Sequence, residues 1–365
     1  MFVGAAVPLV VFEIALRFFP VTESLEATPV DAAHPVVRYR PNQSNVNSIG
    51  VRFEHPTRHR INNAGWVSEQ DYDSTATSPL LAVIGDSYVE ALIVPPDSSL
   101  SAHLASGAGP TRRVYAFAMS GWPLSQYLGV ADYVRKTYRP TSMVIVVIGN
   151  DFDESLPQYR VSRRGLYYLV EQPDGSLKLT LTNDWPKPWY WFIRHSAVFR
   201  YLRYHAHVQI DPRAWISRVR PDARSAAQDT QYVGNVARTV APERLVLSRR
   251  VIDAFLLELP TRSGLAPDRI AIVVDGIRPE LYDQEALSRA ATSYFGQMRD
   301  YLIARARDRG FDVVDLQPIF TSDYREHGRR FEFTNDSHWN ETGHAVVARA
   351  VMQTRSFKAF AAPAP

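Results

Sequence analysis

Short apolar runs, each closed by glycine or small polar residues, alternate through most of the chain with stretches whose apolar residues recur at helical spacing. A run of this kind bounded by turn residues is the mark of a strand buried on both faces. The first, over 80–84, stops at Gly85-Asp86-Ser87; the second, over 113–119, stops at Ser120-Gly121-Trp122; the third, over 142–148, is the richest in β-branched residues and stops at Gly149-Asn150-Asp151. Helices are predicted between them, around 100–105 and over 126–138, the latter ended by Pro140. The rhythm resumes with a helix over 242–259, a strand over 269–274 ending at Asp275-Gly276, a long amphipathic helix over 285–309 closed by Gly310, a strand over 311–316, and a last helix from Thr342 that Asn340 can cap. Successive strand–helix units predict an α/β fold, a three-layer α/β/α sandwich around a mainly parallel five-stranded sheet. The polar strand exits then fall at the carboxyl edge of the sheet, where open α/β sheets bind their ligands.

The flanks read differently. Residues 1–20 are apolar through Phe19 except for Glu13 and Arg17. About 20 apolar residues suffice to cross a bilayer, so this segment is expected as an uncleaved membrane anchor with the rest of the chain on the outer face of a cytoplasmic membrane. A hydrophobic helix packed on the domain is the competing reading. Residues 21–79 are expected as a linker and edge strands: 21–40, punctuated by prolines, as an extended linker, and 51–66 as a short hairpin or edge strand with Asn62, Asn63 and Gly65 as turn residues and Trp66 either covering a crevice or filling an edge. The main domain is expected over 80–355, with an insertion at about 154–241 and a tail at 356–365. Within the insertion a hairpin is predicted over 165–182, turning on Pro173-Asp174-Gly175. The aromatic and Arg-rich stretch 185–208 has helical spacing and reads either as a lid or membrane-surface helix or as a helix packed on the sheet domain.

Composition narrows the function classes. The 45% hydrophobic content is ordinary for a globular protein, and 41 basic against 38 acidic residues leave a formal net charge of only +3 with no Lys/Arg block, so no nucleic-acid partner is expected. The chain has no cysteine, which excludes a disulfide framework and thiolate metal sites. His195, His205 and His207 lack a partner set for a metal, and neither a metal nor a cofactor is expected.

Ser87 carries the chemistry. A serine hydroxyl becomes a nucleophile when an imidazole takes its proton, and the imidazole needs a third group to fix its tautomer and balance its charge. His338 and Asp336 supply those two types near the C-terminus. Two residues apart in an extended loop, they can point the same way, Asp336 toward Nδ1 while Nε2 faces Ser87. An acyl-transfer site must also hold an oxyanion, for which the backbone N–H groups of Ser87 and Gly121 and the side-chain amide of Asn150 are candidates at the same edge. Asp86 and Asp151 read as structural turn residues, and His344, beside the last helix, as a packing or hydrogen-bonding residue.

These residues resemble the SGNH, or GDSL-type, hydrolases. Gly85-Asp86-Ser87 is similar to their first block, Gly121 to their second, Asn150 to their third, and the Asp336/His338 pair to their last, over about residues 80–355. The resemblance implies a Ser87–His338–Asp336 triad, an oxyanion hole of Ser87, Gly121 and Asn150, no cofactor, and an acylated small molecule or glycan as substrate. Anchor, linker and domain together look like bacterial membrane-attached members whose domain faces the periplasm and acts on envelope carbohydrates. Two departures stand out. Gly149 directly precedes Asn150 where the family usually has one residue between, and the position three before the histidine is Asn335, the carboxylate being Asp336 two before it. The expected function is a serine-dependent esterase or deacetylase. A polysaccharide O-acyltransferase with the same triad and a non-catalytic envelope binding protein remain open.

Overall fold

The computed structural model describes residues 2–160, 165–182, 194–208, 232–278 and 280–362. Two antiparallel ribbons precede the main sheet, β1 (Ala27–Thr28) with β2 (Arg38–Tyr39) and β3 (Gln43–Ile49) with β4 (Glu54–Ile61). The sheet contains β5 (Leu80–Gly85), β6 (Arg113–Ala118), β7 (Ser142–Val147), β12 (Ile270–Val274) and β13 (Asp312–Asp315). Their order is β13-β12-β7-β5-β6, and every pairing is parallel. The α/β sandwich read from the strand–helix rhythm is the fold of this chain. Between β7 and β12 come the hairpin β8 (Tyr167–Glu171) and β9 (Leu177–Leu181) and the small ribbon β10 (Tyr232–Val233) and β11 (Val236–Ala237). A last ribbon pairs β14 (Glu332–Phe333) with β15 (Asp336–Trp339).

Alternation along each strand divides the core into two layers. Ala82, Ile84, Ile145 and Ile272 face the side covered by α4 (Leu124–Tyr138), α6 (Pro242–Ser263) and α8 (Tyr294–Asp308). Leu81, Val83, Val146 and Val273 face the side covered by α3 (Leu100–Ala108), α9 (Leu316–His327), α10 (Glu341–Met352) and α11 (Arg355–Ala361). Each of the Leu, Ile and Val side chains among these, fully buried, contributes about 1.5–3 kcal/mol. That burial on both faces explains why these strands carry no polar alternation.

Several elements differ from the sequence reading, each for a local reason. The single helix expected over 285–309 is two, α7 (Gln284–Ala291) and α8, because the Ser293 side chain accepts the Gly296 N–H and starts a new helix there. Leu316 leaves the strand and opens α9, which Asp315 caps by accepting the Gln317 N–H. The expected tail from 356 lies in α11, whose Phe357 and Phe360 are buried. Residues 21–40 are not a free linker: Val21, Val36, Val37 and Tyr39 are buried, so the apolar residues between the prolines pin this arm to the domain. β3 and β4 form a hairpin closed at Gly50–Phe53, and the turn expected at Asn62, Asn63 and Gly65 follows β4: the Gly65 N–H donates to the Asn62 carbonyl at 3.1 Å, the Asn62 N–H to the Trp66 carbonyl at 2.9 Å, and Ile61 pairs antiparallel with Val67. Trp66 fills the core, fully buried and edge-on to Phe117 and Trp122 at centroid distances of 5.4 and 5.8 Å.

The N-terminal helix α1 spans Phe2–Leu16, 15 residues. At about 1.5 Å per residue it is roughly 22 Å long, short of the roughly 30 Å hydrocarbon layer, and among the described residues no helix is long and apolar enough to cross a membrane. Leu9, Val10 and Val11 on it are exposed. Its Glu13 is not spent on the ion pair with Arg17 alone. Glu13 also accepts the Ser196 hydroxyl and the N–H groups of Ala197 and Val198, at 2.9–3.0 Å, and so fastens α1 to the start of α5 (Ala197–Arg200). Partial burial pushes the Glu13 carboxyl up, but the bonds from Val198, Ala197, Ser196 and Arg17 bring it down to about 2. Of the aromatic stretch 185–208, residues 185–193 lie outside the described residues; α5 and a wide helical turn over Tyr201–His205 form the rest.

Candidate active site

β5 ends at Gly85, and α2 (Ser87–Glu90) starts at once. A Cβ on Gly85 would run into Val89, so only glycine allows the strand to turn this sharply into the helix. Asp86 caps α2 by accepting the Tyr88 N–H at 3.0 Å, and burial pushes its carboxyl up to about 6. Asp86 is therefore the turn residue that lifts Ser87 out of the sheet edge.

Asp336 and His338 lie two apart on β15, on one face of the strand. His338 Nε2 is 2.7 Å from Ser87 Oγ, and Nδ1 is 2.5 Å from Asp336 Oδ1; Asp336 also accepts the His338 N–H at 2.8 Å. The placement two before the histidine is geometrically sufficient, and Asn335 turns outward toward Glu54. Burial alone would lower the His338 pKa, but the Asp336 hydrogen bond and charge, with Asp86 behind, raise it above the ordinary 6.5. Asp336 is held below its ordinary value, because the His338 bond outweighs the upward push of burial.

A neutral imidazole is needed to accept the serine proton, so activity is expected to rise with pH through that raised pKa. In Asp336→Asn the raising charge is lost. The acid limb of kcat/KM should move to lower pH while activity falls on the order of a hundredfold to ten-thousandfold. An acid limb that stays in place would show that Asp336 does not act on His338.

The other predicted site residues lie in the turns that follow β6 and β7, at the same edge. Gly121, with φ +74°, lies in the turn after β6, and its carbonyl accepts from Arg160. Asn150 lies in the short turn after β7, with its side chain bonded to Glu154. A Cβ on Gly149 would strike the Gly234 carbonyl, so the altered third block lets the β10–β11 ribbon close down on this turn. Asp151 is buried, with its carboxylate accepting the Tyr127 hydroxyl and the Ile148 N–H, as a structural turn residue should. His344 is buried and accepts the Leu100 N–H at 3.1 Å, a packing role.

Sequence reasoning missed the groups that hold β15 in place. Arg278, 6% exposed, pairs with Asp275 at 2.7 Å and Glu332 at 3.3 Å and donates to the Ser337 carbonyl at 3.2 Å. Burial would lower its pKa, but Asp275, Tyr88 and Glu332 raise it. Trp339 Nε1 donates to Asp275 at 3.0 Å, and the Tyr88 hydroxyl donates to the Ser337 carbonyl at 2.8 Å. Asn235 bridges Tyr88 and Ser337. The available signal was Asp275 at a strand exit with an arginine three residues on.

The reacting groups open into a cavity of about 500 Å³. Ser87, His338 and Asp336 line it together with Glu90 and Ser120, and Thr22–Leu25 and Ala27 of the arm, Phe199, Arg203 and Tyr204 contribute to its wall.

Ser87 and His338 thus meet at the carboxyl edge of a parallel five-stranded sheet, the place where open α/β sheets bind their ligands. Residues 222–362 match the family model described as SGNH hydrolase-like domain, acetyltransferase AlgX; that span contains Asp336 and His338 and stops short of Ser87. No curated protein matches the chain. Among solved structures, it is similar to LAE5, an alpha/beta hydrolase enzyme from the metagenome of Lake Arreo, Spain, at 14% identity and TM-score 0.40, covering 78% of this chain and 98% of that one. It is also similar to a lipolytic G-D-S-L family protein of Veillonella parvula, at 10% identity and TM-score 0.40 over 75% of this chain and 96% of that one. A two-domain esterase (CEX) active on acetylated mannans is similar at 12% identity and TM-score 0.38, over 79% of this chain and 52% of that one.

Proposed function

We propose that the protein is a serine-dependent acyl-ester enzyme acting on an acylated carbohydrate. Ser87 Oγ attacks the ester carbonyl as His338 Nε2 takes its proton. Asp336 holds the resulting imidazolium, and the N–H groups of Ser87 and Gly121 with the Asn150 amide hold the oxyanion. The tetrahedral species then breaks its bond to the leaving alkoxide, which receives the proton from His338 and departs as the alcohol. Water, deprotonated by the same imidazole, frees the acyl group as a carboxylic acid, and Ser87 regains its proton. The observation that carries this reading is the 2.7 Å contact of Ser87 Oγ with an imidazole whose far nitrogen is on a carboxylate, in the wall of an open cavity. Polar groups in its lining, Ser24, Asn47, Arg203 and Tyr204 among them, supply hydrogen-bonding partners of the kind sugar hydroxyls need.

A second reading, O-acyl transfer, replaces that water by a sugar hydroxyl and is favoured by the acetyltransferase description of the matching family model. The first test is common to both. A fluorophosphonate probe incubated with the full chain is expected to add to Ser87, located by peptide mass spectrometry, and not to add in His338→Ala. Equal labelling in that variant, or labelling elsewhere alone, would remove the activated serine from the proposal.

A further inference from the structure

Glu90 lines the cavity with Ser87 and is a carboxyl that the triad does not use. It sits three residues after Ser87, on the same turn of α2, and is 5% exposed. All its bonds converge from other parts of the chain. Oε2 accepts the Ser120 N–H at 2.9 Å and the Ser120 hydroxyl, and Oε1 accepts the Tyr39 hydroxyl from β2. Three donors aimed at one buried carboxyl make a socket for its ionised form. Ser120 immediately precedes Gly121, whose N–H the reaction proposed above uses for the oxyanion.

We propose that Glu90 is a positioning residue for acyl transfer: as a carboxylate it ties the turn carrying Gly121 to the helix carrying Ser87, so that the oxyanion donors and the nucleophile keep one geometry. The inference rests on the serine-dependent reading and adds a second titrating group to the site. Protonated Glu90 must itself donate a hydrogen, so one of its two hydroxyl partners, Tyr39 or Ser120, turns from donor to acceptor and the charge-assisted hold on the Ser120 N–H weakens. Burial pushes the Glu90 carboxyl up to about 7, and Asp86 adds to this, while the bonds from Ser120 and Tyr39 pull it down. The titratable and charged groups around it are Tyr39 on the arm, Asp86, Asp336 and His338 beside Ser87, His59 and Glu69 on the side of β4, and Glu23, Arg160, Arg194, Arg203 and Tyr204 in the lining of the cavity.

The sign follows from the two groups. His338 and Glu90 both have to lose a proton for full activity, so kcat/KM should fall toward acid more steeply than the tenfold per pH unit of a single group, approaching about a hundredfold per unit over the first one to two units below both transitions before the single-proton slope returns. Acyl-ester hydrolysis by the full chain, on a chromogenic acetyl ester, is to be followed from pH 5 to 9 beside Ser87→Ala, Glu90→Gln and Tyr39→Phe. Glu90→Gln is expected to keep Ser87-dependent turnover, reduced on the order of tenfold to a hundredfold even at alkaline pH, and to show a one-proton acid limb. Tyr39→Phe removes a donor from the carboxylate and should move the Glu90 transition to higher pH. A one-proton limb in the unaltered protein, a two-proton limb kept by Glu90→Gln, or no shift in Tyr39→Phe overturns the role of Glu90 while leaving the serine in place. Turnover that survives in Ser87→Ala overturns the underlying reading, and the Glu90 proposal with it.

Discussion

Replacing Ser87 by alanine is expected to lower acyl-ester turnover on the order of ten-thousandfold to a millionfold, with KM changed little. The hydroxyl is the only atom group removed, and its partners are His338 Nε2 and, at 3.2 Å, Asp86. No covalent intermediate can then form, and what activity persists comes from substrate binding and the oxyanion donors. Fold stability should hold within about 1 kcal/mol, because Asp86 still caps α2 through the Tyr88 N–H and no buried donor is left without an acceptor. A steady-state assay with a thermal melt on the same preparation checks both halves. A loss of activity under tenfold would remove Ser87 from the chemistry, and a large drop in melting temperature would reassign the loss to folding.

Arg278→Met is expected to be the most destabilising single change near the site, at about 3–5 kcal/mol. Methionine fills much of the space but leaves Asp275 and Glu332, both buried, without their shared cation. It also removes the donor to the Ser337 carbonyl, the residue between Asp336 and His338. Activity should therefore fall along with stability. Chemical denaturation measures the first effect. The double variant Arg278→Met/Asp275→Asn should recover part of the loss, since one of the stranded charges is gone. A single-variant cost below about 1 kcal/mol would mean that the network is not what holds β15 in register.

What could be read along the chain was what depends on near neighbours. The strand exits at Ser87, Gly121 and Asn150 were legible because an apolar run, a glycine and a polar residue follow one another directly, and Asp336 with His338 because a strand puts i and i+2 on one side. Helix α9 was not, since Pro318 reads as a breaker although it sits in the first turn, where no intrahelical N–H is required of it. The arm over 21–40 was misread because its prolines suggest an extended spacer, while the decisive fact is the burial of Val36, Val37 and Tyr39 against chain far downstream. Glu90 was passed over for the same reason: its meaning comes from Tyr39 and Ser120, neither of which is near it in sequence. Arg278 needed the knowledge that β14 and β15 fold back over β12's exit.

The Glu13 fastening also sets which parts of the cavity wall belong together. Ser87 and His338 are carried by the exit of β5 and by β15, whereas Phe199, Arg203 and Tyr204 belong to a separate stretch whose start, in α5, is gripped by α1. The N-terminal helix and that part of the wall are therefore one mechanical unit, with Glu13 and Ser196 the positions that couple them.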